Sequence, residues 1–351
     1  MTKHRVPVAD LVAFAASLFA TKGVRPDDAR YVSQCLVLAD QEGVPSHGVL
    51  LVPMYLSRLE AGSVDARSQG QVVSRKGGVA VVDAENGLGQ LTSRTAIALA
   101  LEGAREHGLG AAAVRRGFHF GTAGHWASEL ARAGCIGIVL SNTRPLMPGI
   151  GGSEPLVGNN PLAIAVPAPD EPVVLDMALS AAAMGKIRIA AAAGRAIPGD
   201  WATDKNGVPT TDPAAAIEGM LLPAAGPKGF GLAVMIDLLT GGLSSGGVGS
   251  AIKPLYGDPG QPYDCAHFFL AIQVGAFRSP ASFEGLVGEV VQRIRTSRPV
   301  DPASPVMAPG DPANNARRLA ERDCPVDPAT LRALEQAAQR ANVPFPFSIP
   351  T

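Results

Sequence analysis

The sequence predicts a mixed α/β protein, and three observations carry that expectation. Short apolar runs of strand length recur at 136–140, 162–166, 173–175 and 267–274. Longer segments with one apolar face at helical spacing open and close the chain. The 40 glycines and 30 prolines among 351 residues demand many turns, which argues against a simple helical bundle. This length accommodates two or three domains with proper cores, and 46% apolar content is ordinary for a globular chain.

In residues 9–21, Leu11, Phe14, Ala15, Leu18 and Phe19 fall at i, i+3, i+4, i+7 and i+8, with Asp10 as the expected N-cap. The same periodicity favours a folded helix over a secretion leader, although a basic start at residues 1–5 precedes the apolar stretch. A second helix, 27–41, opens on Pro26-Asp27-Asp28, with acids at the positive end of the helix dipole. Next, Asp40-Gln41-Glu42-Gly43-Val44-Pro45-Ser46-His47-Gly48-Val49 sets a histidine beside a hydroxyl in a glycine-bounded loop near several carboxylates. A third helix, 51–60, ends at Gly62.

Residues 69–84 alternate like a hairpin, and Gly87-Leu88-Gly89-Gln90 leads into a helix ending at His107. A strand, G-x-G and a helix invite a Rossmann reading. The third glycine is replaced by Thr92, however, and no acid ends a second strand at the required distance, so a tight turn capping a helix is expected. After a strand at 111–115, His119 sits at a strand-to-glycine turn, while His125 belongs to the first turn of a helix reaching Ala133. Their spacing matches no common zinc pattern and no cysteine or acid completes a set, so no metal is expected.

The strand at 173–175 reads as buried and ends on Asp176, where small residues begin. Lys228-Gly229 then precedes the apolar run 232–239. Small residues let a backbone approach a ligand closely, and a helix start offers unpaired N–H groups to an anion. The stretch 174–231 therefore admits a phosphate-bearing ligand, and equally an ordinary strand, loop and buried helix. Beyond it the chain is Gly/Ser-rich to about 249 and loop-like to 264. Helices are expected at 281–296, 313–321 and 327–341.

A net charge of −1, with no basic run longer than a pair, predicts no nucleic-acid partner. No uninterrupted apolar run is long enough for a bilayer. Four scattered cysteines, Cys35, Cys135, Cys265 and Cys324, read as reduced packing residues, which suggests a cytoplasmic protein.

Taken together, the motifs become specific. Gly43-Val44-Pro45-Ser46-His47-Gly48-Val49, His119-Phe120-Gly121, Gly158-Asn159-Asn160-Pro161, Asp176-Met177-Ala178, Gly207-Val208-Pro209-Thr210-Thr211-Asp212-Pro213 and Pro227-Lys228-Gly229-Phe230-Gly231 stand in this order along nearly the whole chain. In this arrangement the chain resembles the malate/L-lactate dehydrogenase-like family of NAD(P)-dependent oxidoreductases, distinct from the Rossmann-type enzymes, which includes ureidoglycolate dehydrogenase, diketogulonate reductase and Δ1-piperideine-2-carboxylate reductase. The resemblance implies an α+β fold with a largely antiparallel cofactor-binding sheet and flanking helices at 71–284. It also implies a helical, dimer-forming unit from 1–70 and 285–351, with the active site in the cleft of a homodimer. The implied reaction is hydride transfer between NAD(P)H and a C=O or C=N bond of a 2-oxo acid or cyclic imine.

By position, His47 is implied as the general acid/base, the proton donor of reduction. A reference pKa near 6.5 suits that task independently. Asp176 is expected to orient His47 and, as a carboxylate partner, to raise its pKa; Ser46 is expected to donate to cofactor or substrate. His119 would face the substrate. Val174, Leu175, Asp176, Met177, Ala178, Leu179 and Ser180, together with Pro227, Lys228, Gly310, Asp311 and Pro312, match stretches that line the dinucleotide, and Lys228 would meet phosphate as a point charge.

Two departures stand out. Where members of the family it resembles usually have Ser-His-Gly-Val-x-Arg, with an arginine suited to binding a substrate carboxylate, this chain has Leu51, and where an asparagine usually precedes the turn histidine it has Phe118. Loss of one charge-assisted hydrogen bond costs roughly 1.5–3 kcal/mol, which leads to the expectation of a bulkier or less acidic substrate, with Arg144 as a candidate replacement anchor. The alternative is a non-redox catalyst, such as a cyclase or isomerase, or a ligand-binding protein on the same scaffold. Retention of His47, Asp176 and Lys228 favours the redox enzyme.

Overall fold

The computed structural model describes residues 4–349; Met1, Thr2 and Lys3 of the basic start lie outside the described residues. In chain order the elements are β1 (His4–Pro7), α1 (Val8–Ala20), α2 (Pro26–Gln41), α3 (Val52–Glu60), β2 (Gln71–Lys76), β3 (Val79–Asp83), α4 (Gly89–His107), β4 (Leu109–Gly117), α5 (Ala123–Arg132) and β5 (Cys135–Ser141). There follow β6 (Met147–Pro148), β7 (Pro155–Val157), β8 (Leu162–Val166), β9 (Val173–Met177), α6 (Met184–Ala192), α7 (Pro213–Glu218), α8 (Pro227–Asp237), β10 (Cys265–Gln273), α9 (Pro280–Arg295), α10 (Asp311–Leu319), β11 (Asp323–Val326) and α11 (Pro328–Ala341). The mixed α/β class is as expected. Helix α1 begins at Val8 behind Pro7, so Asp10 lies inside the first turn and does not cap it, although its charge still suits the dipole there.

Seven strands form one sheet in the order β2-β3-β4-β10-β5-β8-β9. Only β3 and β4 pair in parallel, across the α4 crossover; the other five neighbouring pairs are antiparallel. Strand β10 runs centrally, with Phe268 opposite Ala113 on one side and Leu140 on the other. The strand beginning at Val173 is the sheet's edge rather than a buried strand, and Leu175 is 41% exposed there. Strand β1 pairs with β11 in a separate two-stranded sheet that ties the two ends of the chain together.

Three apolar clusters hold these layers. Leu11, Phe14, Leu18 and Leu36 of α1 and α2 meet Leu331 and Leu334 of α11. Helices α4 and α5 place Ile97, Ala100, Trp126 and Leu130 against Val82, Val114, Val139 and Phe269 of the sheet. The third cluster joins Ile187, Ala233 and Ile236 to Leu140 and Leu179. The expected buried helix at 232–239 is instead open on one face: Leu232, Met235, Leu238 and Leu239 are each at least 41% exposed. Where a Gly/Ser loop was expected, the chain continues into a π-helical turn at Leu238–Gly242.

Arg58 of α3 is almost completely buried and forms no salt bridge with a carboxylate among the described residues. Its guanidinium donates to the carbonyls of Pro254, Leu255 and Gln261, which pins that loop to α3 and sets the charge 6.0 Å from the Phe118 ring centre. His267 is also fully buried, stacked 4.1 Å from Phe120 with Nδ1 at 2.8 Å from Ser141 Oγ. Burial pushes the pKa values of His267 and His125 down to about 4.

Because their folded pKa values lie below the unfolded value of about 6.5, these histidines contribute their full stabilisation above pH 6.5. They lose it progressively as pH falls toward 4. For His267 the difference amounts to on the order of 3 kcal/mol. Urea unfolding at pH 7.5 and 4.5 is expected to show a steep acid loss for the natural protein and a shallower one for His267→Asn; equal slopes would contradict the assignment.

Candidate active site

The site begins where α2 ends. Asp40, 4% exposed in the last turn, directs its carboxylate under the following loop, where Oδ2 accepts the Val49 amide at 2.7 Å. A Cβ on Gly48 would fall 2.2 Å from that carboxyl, so only glycine lets the chain cross it. Pro45–His47 forms a single 3-10 turn above this support, and Ser46 Oγ lies 2.9 Å from His47 Nδ1.

His119 arrives from the sheet. Strand β4 ends at Gly117, and the turn through Gly121, at φ +90°, brings the His119 ring to 5.2 Å from that of His47, tilted by 32°. The Tyr55 hydroxyl stands 2.8 Å from His119 Nδ1. Burial lowers the pKa of both imidazoles. His119 is held well below 6.5, with His47 and His267 adding to the effect. Near neutral pH both rings are therefore neutral.

Asp176 does not pair with His47 as expected. Its Oδ2 accepts the Gly124 amide at 2.9 Å, in the first turn of α5, and a Cβ on Gly124 would come within 2.7 Å of it. With Ser46 rather than a carboxylate on its Nδ1, His47 has its pKa shifted down, not up. Asp176 is exposed at the edge strand, and the protein mass around that edge raises its carboxyl against the opposing effect of the Gly124 bond. Glu42 is likewise raised by burial, opposed by Arg317 and Arg132.

The expected cofactor stretches do come together. Val174 donates its amide to Pro309 O at 3.2 Å, and Gly310, at φ +95°, sits directly against Val174. Leu179 and Ser180 run alongside the approach to α8, since Ala224 donates to Leu179 O and Ser180 bridges to Pro223. Lys228 is exposed in the first turn of α8 and makes no ion pair among the described residues. At Gly229 a Cβ would meet Ala224 O at 2.1 Å. Exposed Lys228, behind Pro227 in the first turn of α8, suits an anionic group, whereas exposed Leu175 and the Asp176 carboxylate on the sheet edge suit an apolar or hydrogen-bond-donating part of a ligand. Asp311 is engaged elsewhere, since Arg295 holds it at 2.6 and 3.0 Å ahead of Pro312, so it anchors the loop. Leu179, at 1% exposure, points into the third core.

Leu51 and Phe118 do not line the cleft. Each is 1% exposed in the helical core, and Phe118 packs edge-on to Tyr55 at 4.8 Å. They are packing residues, and the expectation of a bulkier pocket loses its basis, although no guanidinium stands at position 51. Arg144 is exposed after β5 without an ion pair among the described residues, and its charge reaches the Tyr263 phenol. Sequence reasoning missed Asp40, Tyr55 and Gln90. The only signal for Gln90 was its place after Gly89, where a Cβ would strike the Phe118 and His119 carbonyls at 2.4 Å.

Residues 6–335 match the family model described as malate/L-lactate dehydrogenase. The chain is 36% identical to L-sulfolactate dehydrogenase of Methanocaldococcus jannaschii, with 82% of this chain and 83% of that protein aligned. It is 33% identical to ureidoglycolate dehydrogenase (NAD(+)) of Escherichia coli, over 85% of each. The solved structure of Δ1-piperideine-2-carboxylate reductase from Pseudomonas syringae superposes with a TM-score of 0.83 at 29% identity, covering 95% of this chain and 100% of that one. The chain belongs to the malate/L-lactate dehydrogenase family.

Gly48→Ala is expected to cost about 1–3 kcal/mol of stability through overpacking against Asp40. Adding Asp40→Ala is expected to recover part of that loss, read as a non-additive denaturation midpoint in the double-mutant cycle. Strict additivity would exclude the contact.

Proposed function

We propose that the protein transfers hydride between a nicotinamide dinucleotide and the carbon of a 2-hydroxy/2-oxo acid or the related cyclic imine, with His47 passing the proton. The observation that carries this reading is the facing pair of neutral imidazoles, His47 and His119, with ring centres 5.2 Å apart. The dinucleotide, when bound, supplies or takes the hydride. Val174, Gly310 and the residues from Leu175 to Ala178 would lie along it, with Lys228 at phosphate. Neutral His47 accepts the proton released when a hydroxyl carbon is oxidised. In the reductive direction it must first be protonated, so reduction gains as pH falls.

The relatives named for sulfolactate, ureidoglycolate and piperideine-2-carboxylate share a carboxylate next to the reacting carbon. With position 51 aliphatic, Arg144 is the cation we assign to that carboxylate. An NAD(P)-binding unit at 71–284, a helical unit from 1–70 and 285–351 that contributes His47, and a cytoplasmic homodimer belong to the same proposal. The exposed apolar face of α8 and its π-helical extension supports the dimer, and the four cysteines, scattered along the chain and not in disulfides among the described residues, support a reducing compartment. Among the described residues, no helix is long and apolar enough to cross a membrane.

Absorbance at the reduced-nicotinamide band, followed with 2-hydroxy acids, 2-oxo acids and cyclic imines, tests the reading. His47→Gln is expected to lower kcat by about 10²–10⁴-fold while dinucleotide binding stays within a few-fold. Arg144→Ala is expected to raise KM for the acid substrates. Dinucleotide binding without turnover across the panel would point instead to a non-redox catalyst or a binding protein.

A further inference from the structure

We infer that Tyr55 and Gln90 are positioning residues that hold His119 as a neutral imidazole with Nδ1 as acceptor, leaving Nε2–H as a fixed donor toward the cleft. Tyr55 is fully buried and its hydroxyl has three neighbours: His119 Nδ1 at 2.8 Å, His119 O at 2.9 Å and Gln90 Nε2 at 3.2 Å. Gln90 is also fully buried and donates, so it occupies a lone pair of the Tyr55 oxygen and directs the hydroxyl proton to His119. The Gly121 amide, which can only donate, faces the same Nδ1 at 3.4 Å. The single hydroxyl hydrogen of Tyr55 lies between Nδ1 and the carbonyl O of His119, either of which accepts it, whereas the Gly121 N–H can only donate to Nδ1, so a proton already on that nitrogen would oppose it.

On the other side of the ring, Nε2 makes no hydrogen bond among the described residues, and His119 is only half-buried. The one edge free to meet a ligand therefore carries the hydrogen. The titratable groups facing His119 are His47 from the 3-10 turn, His267 from β10 and Tyr55 from α3. None is an anion near neutral pH, so nothing nearby stabilises an imidazolium. The arrangement also accounts for the Gly87-Leu88-Gly89-Gln90 sequence. Gly89 lets the start of α4 press against the carbonyls of residues 118 and 119, which delivers Gln90 to Tyr55. The buried Gln90 Oε1 is left without a partner, so the amide is held by its donor end alone.

The consequence for chemistry rests on the proposed redox reading. His119 would donate a hydrogen bond to the substrate oxygen or nitrogen while His47 alone changes protonation, so the two imidazoles do not exchange roles.

Nitrogen-15 NMR of histidine-labelled protein, with His119 assigned by its loss in His119→Gln, tests the inference without any substrate. The natural protein is expected to show an unprotonated Nδ1 and protonated Nε2 for His119, unchanged down to pH 5. Tyr55→Phe removes one Nδ1 donor and is expected to move protonation of this ring upward toward 6.5. It should also add a second ionisation to the acid limb of kcat/KM and lower kcat/KM about tenfold. Gln90→Leu frees the Tyr55 oxygen to accept and is expected to produce a tautomer mixture. An Nδ1–H ring or ordinary titration in the natural protein, or variants with unchanged His119 signals, would overturn the inference. If the natural protein shows the expected ring state but transfers no hydride, the proposed function fails and the tautomer assignment stands.

Discussion

The carboxylate of Asp40 under the loop at 46–49 is the constraint on which the cleft depends. It takes the Val49 amide from below, and its oxygens fill the space where any side chain at position 48 would stand. A loop on the surface would ordinarily sample many conformations, and one held by a buried charge-assisted bond and a steric stop does not. His47 thereby acquires a fixed height above α2, and the facing ring of His119 needs only one further turn, at Gly121, to meet it. The carboxylates near the histidine serve the backbone: Asp40 holds the loop and Asp176 holds the first turn of α5.

That division of labour sets the electrostatics. With the acids committed to amides, burial dominates both imidazoles and lowers their pKa values. A histidine paired with a carboxylate would have gone the other way. The site is thus built around neutral rings, which suits a group that accepts a proton and a group that donates a hydrogen bond. The antiparallel course of β8 and β9 places Asp176 at the sheet edge, where the strand backbone is open, and the loop before α10 closes on Val174 from outside. Edge position is what leaves Leu175 of this strand exposed.

Much of this architecture was legible in residue order. Helical periodicity located α1 and α2 because one face of each is buried, and Gly89, in the Gly87-Leu88-Gly89 turn, serves close packing against residues 118 and 119. His47 and His119 were singled out because each lies between a regular element and a glycine. Leu51 and Phe118 were misplaced because sequence neighbours of a site residue need not face the site. On a 3-10 turn and at a strand end, one residue's displacement turns a side chain from cleft to core. The pairing of β1 with β11 and the π-helical turn after Asp237 escaped notice, since both are determined by partners more than ten residues away.

By itself the sequence determined the main helices, most strands of the large sheet and the family, and put His47 and His119 forward as candidates, because periodicity, glycine placement and motif order are local properties. The tertiary structure decided which acid each histidine lacks, which hydroxyl each one meets and which way each pKa moves. Those outcomes depend on the distance between atoms brought together by folding: Tyr55 lies 64 residues from His119 yet within 2.8 Å of its ring. Desolvation follows the number of atoms packed around a group, and no stretch of sequence records that number until the chain has closed upon itself.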